Sequence, residues 1–135
     1  MKNPLRLLVL AVVALVGALV LTSCGGSSSS VTTVGAQDFL AKTAEPGVVV
    51  VDVRTAAEFA QGHVEGALNV DVEAPTFDAQ IAELDKATTY AVYCHSGRRS
   101  GLATDAMGAA GFTSLVNLDG GIADLQAAGA PIVAG

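Results

Sequence analysis

Cys94 is followed by His95, Ser96, Gly97, Arg98, Arg99 and Ser100: a nucleophile, a glycine that lets the chain turn, two hydroxyls and two full positive charges. Residues of these types in so short a span suit a thiolate and an anionic substrate. Backbone N–H groups in such a loop can converge as a nest, and a helix that follows adds partial positive charge to that of the guanidinium groups. Each effect lowers a thiol's pKa from the free-cysteine value of about 8.5, so Cys94 is expected to be an ionised, accessible nucleophile. The contrary reading, an inert core cysteine, fits poorly with two arginines, a glycine and two serines beside it. Arg98 and Arg99 would oppose the helix dipole if they were merely solvated, and are read as anion ligands.

The flanking patterns say what must position this loop. Residues 90–93 are β-branched and aromatic, as in a buried strand. Residues 100–110 carry Leu102, Ala103, Ala106, Met107 and Ala110 at helical spacing, with Gly111 as the C-terminal stop. Cys94 therefore falls at a strand's carboxyl end, where an open α/β sheet presents its crevice. Upstream, residues 48–51 are four valines, a strand apolar on both faces and so central and covered on each side. Asp52 and Arg54 follow it, read as a loop or capping residue and its ion-pair partner in preference to direct catalysis. Thr55 and Glu58 form a capping box opening a helix over 56–61. Elsewhere the expected elements are an edge strand over 31–34, helices over 37–42 and 77–86, and a tight turn over 62–67 into a strand over 68–70. A last strand over 114–118 and a final helix over 122–128 complete the chain. Strands and helices alternate without repeats, which indicates a parallel α/β sandwich.

Five motifs then stand in order: Asp52-Val53-Arg54 with Glu58-Phe59, Gly62-His63-Val64-Glu65-Gly66-Ala67, the Cys94 loop, Gly111-Phe112, and Leu118-Asp119-Gly120-Gly121 with Gly129-Ala130-Pro131. Together they resemble a single-domain rhodanese, a sulfurtransferase, over about residues 31–133. The resemblance implies a three-layer sandwich with a mostly parallel sheet of about five strands and helices on both faces. It also implies transfer of sulfane sulfur from a small sulfur-containing anion such as thiosulfate to cyanide or a thiol, through a persulfide on Cys94. The N–H groups of residues 95–99 would stabilise that persulfide, Arg98 or Arg99 would hold the oxyanion, and Ser100 would hydrogen-bond the sulfur. His63 is a structural residue of the motif, and no metal or organic cofactor is implied. His95, where related loops vary, either tunes substrate choice or faces solvent. Where a rhodanese commonly carries tryptophan after the paired glycines this chain has Ile122 and Leu125, a loss of packing rather than of chemistry. Cysteine phosphatases and arsenate reductases separate cysteine and arginine by five residues; here four separate Cys94 from Arg99, a ring better sized for one sulfur. The other class of reading is a sulfur-carrier, redox-sensing or interaction module with little turnover.

Residues 1–23 read as a processing segment: Lys2 and Arg6, then fifteen residues without a polar side chain over 7–21. That run is shorter than the roughly 18–20 residues of a spanning helix. Leu21-Thr22-Ser23-Cys24 resembles a bacterial lipobox, which implies lipid on the Cys24 thiol and a membrane-anchored lipoprotein on the extracytoplasmic side; an uncleaved anchor and an ordinary secreted protein are the alternatives. Residues 24–30, rich in Gly and Ser, form a tether with a reach on the order of 13 Å, and 31–135 form the domain. With Cys24 lipidated, Cys94 is the sole free thiol, so no intrachain disulfide is expected and a structural metal site lacks ligands. Loss of Lys2 and Arg6 leaves five basic residues against thirteen acidic, a charge of −8 in place of −6. Such a chain is not expected to bind nucleic acid, and it is expected to be a monomer.

Overall fold

The computed structural model describes residues 28–135. Five parallel strands form the main sheet in the order β1-β6-β5-β2-β4: β1 (Ser30–Val34), β2 (Val48–Asp52), β4 (Leu68–Asn69), β5 (Thr89–Tyr93) and β6 (Ser114–Leu118). The valine run of β2 lies between β5 and β4, paired Val51 with Val92 and Asp52 with Tyr93. Side chains alternate across β5, so Tyr90, Val92 and then Cys94 enter one core while Ala91 and Tyr93 enter the other. The first core is closed by α3 (Phe77–Ala82) and α4 (Arg98–Ala109) through Phe77, Ile81, Ala103 and Met107. The second is closed by α1 (Ala36–Thr43) and α5 (Ile122–Ala127) through Phe39 and Leu125. These are the three layers expected, with helices on both faces.

This order places the loop. From β2 the chain runs outward to β4, and from β5 it runs the opposite way to β6. The carboxyl ends of β2 and β5 therefore flank the point where the strand order reverses, which opens a crevice there. Asp52 ends one strand and Cys94 follows the other.

Several boundaries differ from expectation. Helix α4 starts at Arg98 rather than residue 100, because Gly97 turns at φ +100° and directs the chain into the helix at once. Helix α3 stops at Ala82 rather than residue 86. Asp85 accepts from the Ala87 N–H at 2.9 Å on its carboxylate and from the Tyr90 hydroxyl at 3.0 Å on its carbonyl, a turn that competes with helix. The turn expected over 62–67 includes β3 (His63–Val64), which pairs antiparallel with β7 (Ile132–Val133), so β6 is not the last strand. Two-residue strands carry no periodicity from which to predict them. Strand β1 also starts at Ser30, the residue expected to end the tether, with its N–H and hydroxyl both donating to Thr113 O at 3.1 Å.

Candidate active site

Strand β5 ends at Tyr93, and residues 94–97 turn under the start of α4. The Cys94 sulfur accepts the Gly97 N–H at 3.0 Å. Burial pushes its pKa up. The Ser100 N–H and hydroxyl and the N–H groups of Ser96 and Gly97 outweigh that and hold the thiol below its ordinary value. The Ser100 hydroxyl also donates to Gly97 O at 3.1 Å, tying the helix start to the loop. Cys94 itself is only 1% exposed. The accessible cysteine expected is instead the floor of the loop, because the same fold that aims N–H groups at the sulfur wraps around it.

The two arginines have different surroundings. Arg98 is open to solvent, its Nη2 3.6 Å from Glu73 Oε1, and 72% of its side chain is exposed. Arg99 is 14% exposed and grips Glu58 with two parallel bonds of 2.8 Å, Nη1 to Oε2 and Nη2 to Oε1. Glu58 is thereby held down at a pKa of about 2, mainly by Arg99 and further by Thr55, while Arg99 is raised by the same pair. Glu58 also completes the capping box: its Oε2 accepts from Thr55 N at 3.1 Å, and Thr55 Oγ1 accepts from Glu58 N at 3.2 Å. One carboxylate thus fixes α2 (Ala56–Gln61) and the arginine of the loop together. Its capping role was legible in the Thr-x-x-Glu spacing; its grip on Arg99, 41 residues on, carried no local signal.

Beneath the loop, Asp52 and Arg54 form a buried pair, with Arg54 Nε at 3.0 Å and 3.1 Å from the two carboxylate oxygens. The Tyr93 hydroxyl donates to Asp52 Oδ2 at 2.7 Å and accepts the Val64 N–H at 3.0 Å. Burial, then Asp52, raises the Tyr93 pKa, so the phenol stays protonated. These contacts join β2, β3 and β5 and fix the floor from which the loop springs. His63 stacks on Phe59, centroids 3.6 Å apart, with Nδ1 at 2.9 Å from Phe59 O. A carbonyl only accepts, so Nδ1 carries the proton.

Gly120 and Gly121, the paired glycines of the last motif, are the loop's other wall. A Cβ on Gly121 would stand 1.7 Å from His95 O, and the Ile122 N–H donates to Cys94 O at 3.0 Å. Leu125 is fully buried in the second core. Beside the loop lies a cleft of about 520 Å³ walled in part by Arg54, Glu58, Gln61, His95 and Gln126. His95 and Ser96 are exposed. Among the described residues no helix is long and apolar enough to cross a membrane, and no cluster of three His, Cys, Asp or Glu could hold a metal ion. Cys24 lies outside the described residues.

Residues 35–128 match the model of the Rhodanese-like domain family. The chain belongs to the rhodanese-like family. The thiosulfate sulfurtransferase PspE of Escherichia coli is 36% identical over 75 residues, 56% of this chain and 71% of that one. A sulfurtransferase of Allochromatium vinosum is 37% identical over 87 residues, 64% of this chain and 79% of that one. A tRNA uridine(34) hydroxylase of Acaryochloris marina is 36% identical over 90 residues, 64% of this chain and only 29% of that one. Among solved structures, the rhodanese with anions from E. coli is 34% identical at TM-score 0.54, with 65% of this chain and 99% of that chain covered. The Alr3790 protein of Anabaena is 27% identical at TM-score 0.64, with 75% and 91% covered. The rhodanese-like fold thus accounts for the sheet, both helical layers and the placement of Cys94.

Proposed function

We propose that the protein is a sulfurtransferase that carries sulfane sulfur on Cys94. One observation supports this above others: the Cys94 sulfur, at the carboxyl end of a central strand, lies among the N–H groups of Ser96, Gly97 and Ser100. The thiolate attacks the outer sulfur of thiosulfate, the S–S bond breaks, and its electron pair leaves with sulfite. The persulfide formed keeps one negative charge, now directed at donors already in place, so little reorganisation is needed. Cyanide or a thiolate then takes the outer sulfur and Cys94 returns as thiolate. Arg99, anchored by Glu58, contributes positive charge at the loop, and Arg98 adds charge at its solvent side.

The test is thiocyanate formation from thiosulfate and cyanide, present in the wild type and absent in Cys94→Ser; activity in that variant would remove the proposal. The 1% exposure of Cys94 favours a second reading, a sulfur carrier with slow exchange. Persulfide formation without thiocyanate release would select it. The protein is further proposed to be held at an extracytoplasmic membrane face by lipid on Cys24. Cys24→Ala then moves it to the soluble fraction without acyl label, and a wild type already soluble and unlabelled contradicts the tether.

A further inference from the structure

Of the residues that wall the cleft beside the loop, only Glu58, which anchors Arg99, serves the attack on the donor. Arg54 stands in its wall with 6% of its side chain exposed. Nε donates to both oxygens of Asp52, and Nη2 donates to Asp52 Oδ2 and Gly62 O, each at 2.6 Å. Nη1 has no partner among the described residues. The guanidinium is therefore rigidly held with one donor nitrogen free of protein partners, and that nitrogen stays open to a ligand, since Asn117 Oδ1 is the only buried side-chain polar atom left without a partner among the described residues. Glu58, on the same wall, does not compete, because its oxygens are taken by Arg99 and Thr55. The exposed amides of Gln61 and Gln126 also line it, together with the apolar side chains of Ile122, Ala123 and Ile132. His95, next to Cys94 in the chain, brings the cleft to the loop.

We propose that this cleft is an acceptor subsite for a small thiol that carries a carboxylate, the carboxylate meeting Arg54 Nη1 and the thiol reaching the His95 end. A fixed guanidinium edge suits a carboxylate, and the volume is within the range of small-ligand pockets. The proposal rests on the sulfurtransferase reading. The acceptor thiolate attacks the outer sulfur of the Cys94 persulfide. The bond from Cys94 Sγ to that sulfur breaks as the new S–S bond forms, Cys94 leaves as thiolate, and the acceptor leaves as its persulfide anion. No oxidant or reductant is consumed.

The experiment uses the full-length protein in detergent micelles, with 3-mercaptopropionate and the uncharged 3-mercapto-1-propanol as matched probes. Binding is read by calorimetry, and kcat/KM is read for each as acceptor from thiosulfate. The double variant Gln61→Glu/Gln126→Glu places negative charge on exposed positions of the cleft without disturbing Arg54. The carboxylated probe should bind about tenfold more tightly than the alcohol, its kcat/KM should be higher by a similar factor, and the variant should erase both differences. Equal binding of the two probes, or a preference the variant leaves intact, overturns the subsite. Selective binding with no sulfur transfer to any acceptor, cyanide included, upholds the subsite and removes the sulfurtransferase reading; transfer with no preference removes the subsite alone.

Discussion

Replacing Glu58 by glutamine separates its two roles. Glutamine at this position still serves a capping box, so α2 keeps its start, while Arg99 loses the charge it grips. Glu58 is lowered from 4.5 to about 2. At about 1.4 kcal/mol for each tenfold in proton affinity, the full displacement corresponds to roughly 3 kcal/mol. With 31% of the side chain exposed, solvent screening reduces this to about 1–2 kcal/mol. A carboxylate depressed in the folded state stabilises it above its unfolded pKa, and that contribution is lost as pH falls through the folded one. Urea unfolding of wild type and Glu58→Gln should therefore differ by about 1–2 kcal/mol near pH 7. The gap should close as pH falls from 4.5 toward 2. In the same variant Arg99 keeps only the longer contact to Glu73, Nη1 to Oε2 at 3.5 Å, as an ion pair, and kcat/KM for thiosulfate should fall roughly ten- to a hundredfold. A stability gap that does not shrink in acid, or unchanged kinetics at neutral pH, would refute the claim that this carboxylate positions the arginine.

Other outcomes follow from the same geometry. Gly121→Ala places a methyl 1.7 Å from His95 O, which is backbone and cannot yield cheaply; it should cost about 1–3 kcal/mol in urea unfolding and most of the thiosulfate turnover. Arg99→Ala should reduce kcat/KM for thiosulfate roughly ten- to a hundredfold, and Arg98→Ala, 72% exposed, by much less; the reverse order would contradict the assignment. Alkylation of Cys94 by iodoacetamide should titrate below the free-cysteine value of about 8.5, and Ser100→Ala should move the midpoint up. A midpoint at or above about 8.5 in the wild type would mean that burial outweighs the N–H donors.

The sheet was legible because its signals are local. Four valines announce a strand covered on both faces, and Tyr90 to Tyr93 ends at a cysteine whose loop can only sit at a carboxyl edge. The Asp52 and Arg54 pairing was legible for the same reason, being two residues apart at a strand's end. What stayed hidden depends on closure. The β3–β7 pair joins residues about seventy apart through two-residue strands, and Gly121 is needed because His95 O arrives from another loop. The burial of Cys94 was misread because the polar residues around it suggested an open surface. In the fold their backbone faces the sulfur, while His95, Ser96 and Arg98 turn to solvent.

The central claim is that Cys94 carries sulfur, and intact mass tests it most directly. Protein spanning residues 28–135, fully reduced and then incubated with thiosulfate, should gain the mass of one sulfur atom, and cyanide should remove it. Cys94→Ser should show neither change, since an alcohol in that place stays protonated near neutral pH and cannot hold the sulfur. Wild-type protein that keeps its original mass with every sulfur donor tried would contradict the account.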